Sequence, residues 1–188
     1  MADKNQKKPD TVHELMLSAL PNHRAMQTMD RLAIPTRPGL TEAIGRLAIA
    51  HTHLELILRY TIKTLAELSV KDALEATNGE RISDLRKRIR KLFVEKKPPA
   101  SEVAKLDVLL GAAHRLSEKR NNILHSAWSE TQAGAAVVKG EDYHWSPAPS
   151  KDEVNEFTDE ILELVRRINN ARTSGFLYEA TKRPQAGR

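Results

Sequence analysis

The stretch that decides the fold reads Leu116-Ser117-Glu118-Lys119-Arg120-Asn121-Asn122-Ile123-Leu124-His125-Ser126. It closes a long run of helical periodicity that begins near Ser101. At 3.6 residues per turn, its arginine, asparagine and histidine fall within about one and a half turns. Asn121 and His125 are four residues apart and therefore share a face. Arg120 lies about 140° from His125 around the helix, but its side chain is long enough to bend back. The sequence predicts that a guanidinium, an amide and an imidazole converge on one small anionic group.

These three side chains suit the cleavage of a phosphodiester in RNA without a metal. Arg120 offers five fixed donors that match phosphate oxygens, and it would stabilise charge that builds on them. His125 would deprotonate the 2′-hydroxyl or protonate the leaving 5′-oxygen. Asn121 would hold a phosphate oxygen or fix the imidazole tautomer. The same residues also fit an ordinary helix end, because the helix dipole favours cations there and Asn is common near C-caps.

The run from Arg120 to His125 resembles the signature of the HEPN superfamily (higher eukaryotes and prokaryotes nucleotide-binding). That signature is an Arg, four to six residues and then a His, often with a polar residue directly after the Arg. Here the gap is four, the polar residue is Asn121, and the resemblance covers roughly Thr41 to Arg172. Some subgroups carry a Tyr two residues after the His. Ser126 and Ala127 stand at these positions, so chemistry that uses that Tyr is not expected.

The resemblance implies a fold, an activity and partners. Family members are helical bundles that commonly dimerise, which places two copies of the motif in one cleft. Many are metal-independent ribonucleases of toxin–antitoxin and phage-defence systems, and others have lost activity and only bind. For this chain the resemblance implies RNA and a second copy as partners, with an antitoxin or regulatory protein as a further one.

Composition fits a helical cytoplasmic protein. The 188 residues suffice for one domain with tails, and 29% charged with 4% aromatic residues is typical of charged helices around aliphatic cores. The absence of Cys excludes disulfides and thiolate catalysis. No apolar run reaches the roughly 18 residues of a membrane span, and the first eight residues lack the apolar segment of a signal peptide. The net charge of +5 permits RNA as a partner.

The pattern along the chain predicts an all-α fold. We expect an antiparallel bundle of about four main helices, with a small β-hairpin or three-stranded flap before the last helix. Residues 1–38 form a flexible or partly helical N-terminal arm, 39–178 the bundle and 179–188 a disordered tail. Thr41 is the expected N-cap of the first long helix. Ser150 to Glu153 reads as a capping box that begins the last one.

Polar residues on two helices are candidates for a supporting role. His51 lies within the apolar stripe of the first long helix, with Glu55 one turn later. Glu55 would orient the arginine or the histidine of the motif, or else the two form an ordinary buried polar pair. His114 and Glu118 precede the motif on one face of its helix and are candidates for an outer layer around it.

The segment with the highest density of positive charge lies between the first long helix and the helix that carries the motif. It includes Arg86, Arg90 and Lys91, which would follow an RNA backbone, or which form a solvated helix face. No set of His, Asp and Glu has convincing metal-ligand spacing, so no metal and no cofactor are predicted.

The leading functional hypothesis is a metal-independent endoribonuclease of HEPN type that cleaves RNA in a dimer cleft, as a toxin or defence effector. One alternative is a catalytically inactive HEPN-like module that binds RNA or nucleotide. The other is a helical dimerisation or adaptor domain whose Arg120 and His125 make structural hydrogen bonds only.

Overall fold

The computed structural model describes residues 34, 37–131, 134–139 and 144–183. The prediction of an N-terminal arm falls almost entirely outside them. The chain forms two compact units. The described residues of one unit are 38–125 and 149–183, which hold the helices, and those of the other include 126–131, 134–139 and 144–148.

The helical unit is mostly α-helix, as predicted. Its helices are α1 Leu40–Ala66, α2 Val70–Ala76, α3 Ile82–Glu95, α4 Ala100–Leu124, α5 Lys151–Thr173 and α6 Phe176–Thr181. No described helix combines the length and the apolar character that a membrane crossing requires.

The first long helix, α1, lies at the centre of its unit and contacts α2, α3, α4, α5 and α6. Its apolar residues recur every three or four positions, which places them on one side of the helix. Leu47, Leu54 and Leu58 on that side are fully buried. The predicted stripe is therefore the core of the unit. His51, which was predicted to lie within it, is also buried.

The directions of α1 and α5 correct one prediction. At their starts, the Lys151 side chain lies 3.2 Å from where a Cβ of Gly39 would stand. Near their ends, the Arg172 guanidinium lies 3.5 Å from the Thr64 hydroxyl. Both pairs can form only if the two helices run in the same direction. The prediction of a wholly antiparallel bundle is wrong for this pair, because periodicity defines the buried face of a helix but not its direction.

Helix α4 runs opposite to α5. Lys119, near the end of α4, lies over the ring of Phe157 in the second turn of α5 at 4.4 Å. Glu102, at the start of α4, pairs with Arg183 beyond the end of α6 at 2.8 Å. This arrangement brings the motif end of α4 beside the N-terminal half of α5.

The helix caps are partly as predicted. Ser150 and Glu153 form the predicted capping box at the start of α5. Thr41 is not the N-cap of α1, because that helix begins at Leu40 and its N-cap is Gly39. Gly39 adopts φ +74°, a conformation that residues other than Gly rarely take, and the N-cap therefore lies two residues before the predicted Thr41.

Helix α6 extends past the predicted domain end at residue 178. Phe176 packs edge-on against Phe93 with ring centroids 5.6 Å apart, and Ala180 is completely buried. The prediction of a disordered tail is therefore wrong for 179–183. Six residues are too few to show a helical period, so only the tertiary contacts reveal this helix. Residues 184–188 lie outside the described part.

The second unit contains a three-stranded antiparallel sheet, which confirms the predicted flap. Its strands are β1 Ala127–Glu130, β2 Ala136–Lys139 and β3 Trp145–Pro147, in the order β1-β2-β3. Trp128 pairs with Val138, and Val138 pairs with Ser146 on the other side.

Candidate functional site

The three residues of the motif meet at the C-terminal end of α4. The Arg120 Nη1 donates to the Asn121 Oδ1 at 3.1 Å and lies 3.5 Å from the His125 Nε2. Arg120 therefore bends back along the helix, as its length allows. Because a guanidinium has donors only, the ring nitrogen that faces it must accept. His125 is accordingly placed with its proton on Nδ1 and its Nε2 lone pair towards the arginine.

The end of the helix sets the exposure of these groups. His125 is the C-cap of α4, and its backbone N–H donates to the Asn121 carbonyl at 2.9 Å. The His125 side chain is exposed, whereas Arg120 and Asn121 are half-buried. A ligand can therefore approach His125 from solvent while the guanidinium stays fixed against the helix.

Behind this group, α4 is attached to α1 by buried polar side chains. The His51 Nε2 lies 3.2 Å from the Ser117 Oγ, and its Nδ1 lies 3.5 Å from the Glu55 carboxylate. Because a carboxylate accepts only, Nδ1 carries the proton and the Ser117 hydroxyl donates to Nε2. Glu55 thus reaches α4 through His51 and Ser117, whereas the sequence had suggested a contact with the arginine or histidine of the motif.

His51 is neutral at ordinary pH. Burial and, to a smaller extent, the positive charge of Arg120 together lower the pKa of His51 from 6.5 to about 4. Its 3.5 Å contact with Glu55 therefore joins a neutral ring to a carboxylate and is not an ion pair. A neutral His51 leaves the charge of Arg120 uncancelled and adds no second cation beside it.

Arg120 keeps an uncompensated positive charge. Within the part of the chain that the structure describes, no carboxylate lies within 4.0 Å of its guanidinium nitrogens, and its contacts are to the Asn121 amide and the His125 ring. Its Nε is buried and has no hydrogen-bond partner among the described residues. A half-buried cation without an anion is costly, and an anionic ligand would remove that cost.

The outer candidates on α4 stay apart from this cluster. His114 and Glu118 are exposed and contact each other, with 3.9 Å between His114 Nδ1 and a Glu118 oxygen. The neighbouring Lys119 turns towards α5, over Phe157. The structure thus joins His51 and Glu55 to the motif helix and leaves His114 and Glu118 at the surface.

The cations of α3 are mostly paired or half-buried. Arg90 donates to both oxygens of Asp107 at 2.9 and 3.4 Å, and these bonds raise the pKa of Arg90. Arg86 is half-buried, and burial lowers its pKa. Lys91 is exposed beside a surface cavity that carboxylates also line. The binding of RNA by these three residues stays a prediction.

Ser117 was missed by the sequence reasoning. It lies one turn before Asn121 and is only 8% exposed. A polar residue flanked by Ala113 and Leu116 on the packing side was the available signal, because a buried hydroxyl requires a partner. Such a partner could have been sought in His51, a polar residue inside the apolar stripe of α1.

No further ligand site is evident from side-chain type alone: among the described residues, no group of three or more His, Asp or Glu side chains is placed to hold a metal ion. Comparison with known proteins gives no independent assignment. No protein-family model matches the sequence, and neither a curated protein nor a solved structure shows significant similarity to it.

Proposed function

We propose that the chain is a metal-independent endoribonuclease of HEPN type that acts as a homodimer. The observation that carries this proposal is the uncompensated guanidinium of Arg120, held 3.5 Å from the ring of His125. A fixed cation beside an exposed imidazole provides charge stabilisation and proton transfer within reach of one phosphate. The order of residues from Arg120 to His125 supports the same assignment through its resemblance to the family.

The reaction follows from these two side chains. When the scissile phosphate binds, Arg120 exchanges its contact with His125 for the phosphate oxygens, and Nε2 becomes free to accept a proton. His125 takes the proton of the 2′-hydroxyl, the 2′-oxygen bonds to phosphorus, and the bond from phosphorus to the 5′-oxygen breaks. A proton then goes to the 5′-oxygen. The products are a 2′,3′-cyclic phosphate and a free 5′-hydroxyl.

A second copy would supply the remaining proton transfer. Attack and departure occur on opposite sides of phosphorus, so one imidazole cannot serve both at once. In a homodimer, His125 of the second copy can donate to the 5′-oxygen while the first accepts from the 2′-hydroxyl. A partner protein that covers this opening would inhibit cleavage, which fits regulation by an antitoxin.

The test is cleavage of RNA by the purified protein in the presence of EDTA. We expect His125→Ala to reduce the rate by about 100- to 10,000-fold, and Arg120→Ala by about 100-fold or more. Arg115→Ala is the matched control, because it removes an exposed arginine from the same helix. An RNA with a single 2′-deoxy residue at the cleavage position should resist cleavage there.

Equal cleavage rates for the wild type and both motif variants would contradict the proposal that the chain is a ribonuclease that uses Arg120 and His125. The alternative is a module that binds RNA or nucleotide without cutting it, or an adaptor. It is favoured by the direct contact between Arg120 and His125, which occupies one guanidinium nitrogen and one ring nitrogen within the chain. Binding that requires Arg120 without any cleavage would establish the binding module.

A further inference from the structure

A surface cavity of about 410 Å³ lies where the last turns of α1 and α5 meet α6. Polar side chains from all three helices line it, and they are Lys63, Thr64, Arg172, Thr173, Tyr178 and Thr181. Its volume is within the range of small-molecule sites. The cavity is remote from the motif, because Arg172 lies roughly 22 Å along α5 from Phe157, the residue that Lys119 of the motif helix covers.

Arg172 is half-buried at this cavity and has no carboxylate partner among the described residues. Its guanidinium donates to the Asn169 side-chain oxygen at 2.6 Å and lies 3.5 Å from the Thr64 hydroxyl. It also lies over the ring of Tyr60, at 5.7 Å from the centroid. Within the described part its Nε is buried without a hydrogen-bond partner, and burial lowers the pKa of Arg172. An anion would offset the cost of burying this charge.

Lys63 brings a second positive charge to the same cavity. Its side chain is half-buried, and no carboxylate of the described residues lies within 4.0 Å of its nitrogen. The carboxylate that lines the cavity, Glu67, already accepts a hydrogen bond from Lys96 at 2.7 Å. Because Lys96 offsets the charge of Glu67, the charges of Lys63 and Arg172 stay without an anion.

The helix dipoles explain part of this arrangement. Lys63 and Arg172 lie in the last turns of α1 and α5, where a helix favours cations. Two helix ends together contribute a charge of only about −1, whereas the two side chains carry two unit positive charges. The carbonyls of Lys63 and Asn170 at these ends also accept bonds from backbone N–H groups that follow them. The cavity therefore keeps a net positive charge after the dipoles are counted.

The threonine hydroxyls of the lining can accept from a ligand but not donate to it. Each already donates its proton to a backbone carbonyl three or four residues earlier, at 2.7–3.0 Å, and they are Thr64, Thr173 and Thr181. A hydroxyl has one proton and two lone pairs, so the remaining capacity of these oxygens is for hydroxyl or amine donors. Recognition of an anion is then left to Lys63, Arg172 and the Tyr178 hydroxyl.

We propose that this cavity binds a small phosphorylated polyhydroxy compound, of the sugar phosphate class. Lys63, Arg172 and Tyr178 come from three different helices, which suits a tetrahedral phosphate with three terminal oxygens better than a planar carboxylate with two. The oxygens of Thr173 and Thr181 accept hydrogen bonds from the hydroxyl groups of the same ligand. The site is independent of the proposed ribonuclease activity, because it shares no residue with the motif.

A small ligand fits this cavity better than an RNA chain does. The two cations lie half-buried in a cavity instead of along an exposed stripe that could follow a backbone. The Glu67 side chain at the same cavity is 57% exposed, so a long polyanion would pass close to its carboxylate. A single phosphate group can reach Lys63 and Arg172 without that contact.

Calorimetric titration with glucose 6-phosphate, inorganic phosphate and glucose tests the proposal, at an ionic strength held constant with NaCl to keep screening equal. Glucose 6-phosphate should bind at least about fivefold more tightly than inorganic phosphate, and glucose should not bind measurably. Lys63→Gln should weaken both phosphate compounds by about tenfold, and Lys63→Gln/Arg172→Gln by about 50-fold or more.

The matched control is Lys105→Gln/Arg167→Gln, which removes the same charge from exposed positions on α4 and α5. It should keep the affinities of the wild type. Thermal unfolding without ligand shows whether each variant is folded, and Lys63→Gln alone provides the test if the double variant is not. Absence of saturable binding of both phosphate compounds up to about 10 mM, or an equal loss in the control, would overturn the proposal.

Threonine variants test the polyhydroxy part of the ligand. Thr173→Val/Thr181→Val should leave the affinity for inorganic phosphate within about twofold and remove most of the preference for glucose 6-phosphate. Thr52→Val is the control, since Thr52 is exposed on α1 and bonds to a backbone carbonyl in the same way. A preference that survives the loss of both hydroxyls would contradict their assignment.

The site and the ribonuclease can fail separately. Lys63→Gln should leave RNA cleavage unchanged, because the motif lies at the other end of α5. Binding of glucose 6-phosphate without any RNA cleavage would support the cavity and contradict the enzyme. If Lys63→Gln/Arg172→Gln weakens RNA binding while the wild type binds no glucose 6-phosphate, the two cations contact RNA and the proposed site is wrong.

Discussion

The end of α4 and the outer face of α3 both carry arginines, but these arginines differ in the groups that they contact. On α3, Arg90 forms two hydrogen bonds to Asp107, and Arg88 pairs with Glu80. At the end of α4, Arg120 contacts the Asn121 amide oxygen and a ring nitrogen of His125, and neither is a carboxylate. The denser positive segment in sequence is thus largely neutralised in structure, although Arg86 on α3, like Arg120, has a buried Nε without a hydrogen-bond partner among the described residues.

The difference shows that charge density is a weaker guide to an anion site than the identity of the partners. An arginine that already binds a carboxylate must give up that bond to hold a phosphate. An arginine that binds neutral groups in a half-buried position gains from an anion. The comparison predicts that substitution of Arg120 will strongly reduce RNA cleavage. Loss of a carboxylate that pairs with α3 will instead raise RNA affinity, and only slightly.

The largest effect is expected from the shape of the Arg120 head group. Arg120→Lys keeps a charge but loses the planar fork that can bind two phosphate oxygens, so cleavage should fall by about 100-fold. Arg115→Lys on the same helix should stay within about twofold of the wild type. Rates of RNA cleavage measured with excess enzyme would show this, and full activity in Arg120→Lys would mean that the fork is not used.

The next effect concerns acid stability of the polar cluster. His51 has a pKa of about 4 in the folded protein against 6.5 unfolded, so the unfolded chain binds more protons between these values. Stability therefore falls as pH drops from about 6.5 to 4, by roughly 3 kcal/mol from this side chain at most. Urea unfolding across this range should show a shallower pH dependence for His51→Gln.

The control for acid stability is His114→Gln, which changes an exposed histidine on α4. It should keep the pH dependence of the wild type. The same slope in wild type and His51→Gln would show that the ring is not held neutral by burial beside Arg120 and Glu55.

A smaller effect is expected from the serine that joins α4 to α1. Ser117→Ala leaves the buried Nε2 of His51 without its donor, which costs about 1–2 kcal/mol. Ser101→Ala, at an exposed position in the first turn of α4, should cost less than about 0.5 kcal/mol. Denaturant midpoints compare the two. An equal cost at both positions would mean that the bond from Ser117 to His51 contributes nothing.

The smallest effect should come from α3. Asp107→Asn removes the carboxylate that neutralises Arg90 and should raise RNA affinity by about two- to threefold at low salt, but not at high salt. Fluorescence anisotropy at the two salt concentrations measures this change. A gain as large as the loss in Arg120→Ala would make α3 the main RNA-binding face and would reverse the comparison.

The sequence predicted the elements that have a clear period or a clear cap. The stripe of α1, the capping box at Ser150 and the three short strands are all as expected. It did not predict the shared direction of α1 and α5, because that depends on which ends meet, as Gly39 and Lys151 do. It also missed α6, whose burial against Phe93 is a tertiary effect.

The site was predictable in its residues but not in its connections. Spacing placed Arg120, Asn121 and His125 within reach of each other, and the structure brings them together. Spacing alone gave no sign that Ser117 would link His51 to α4. It also did not show that carboxylates would neutralise α3 while none reaches Arg120 among the described residues, since such pairs join residues distant in sequence.

The most direct test of the uncompensated charge is the binding of an RNA that cannot be cut, with 2′-deoxy at the scissile position. If Arg120 holds the phosphate, Arg120→Ala should weaken binding by about tenfold or more and reduce the slope of log affinity against log salt by about 0.7, the value for one contact to a single strand. Arg115→Ala should change neither quantity. Unchanged affinity and slope in Arg120→Ala would contradict the account, because the cation would then hold no phosphate.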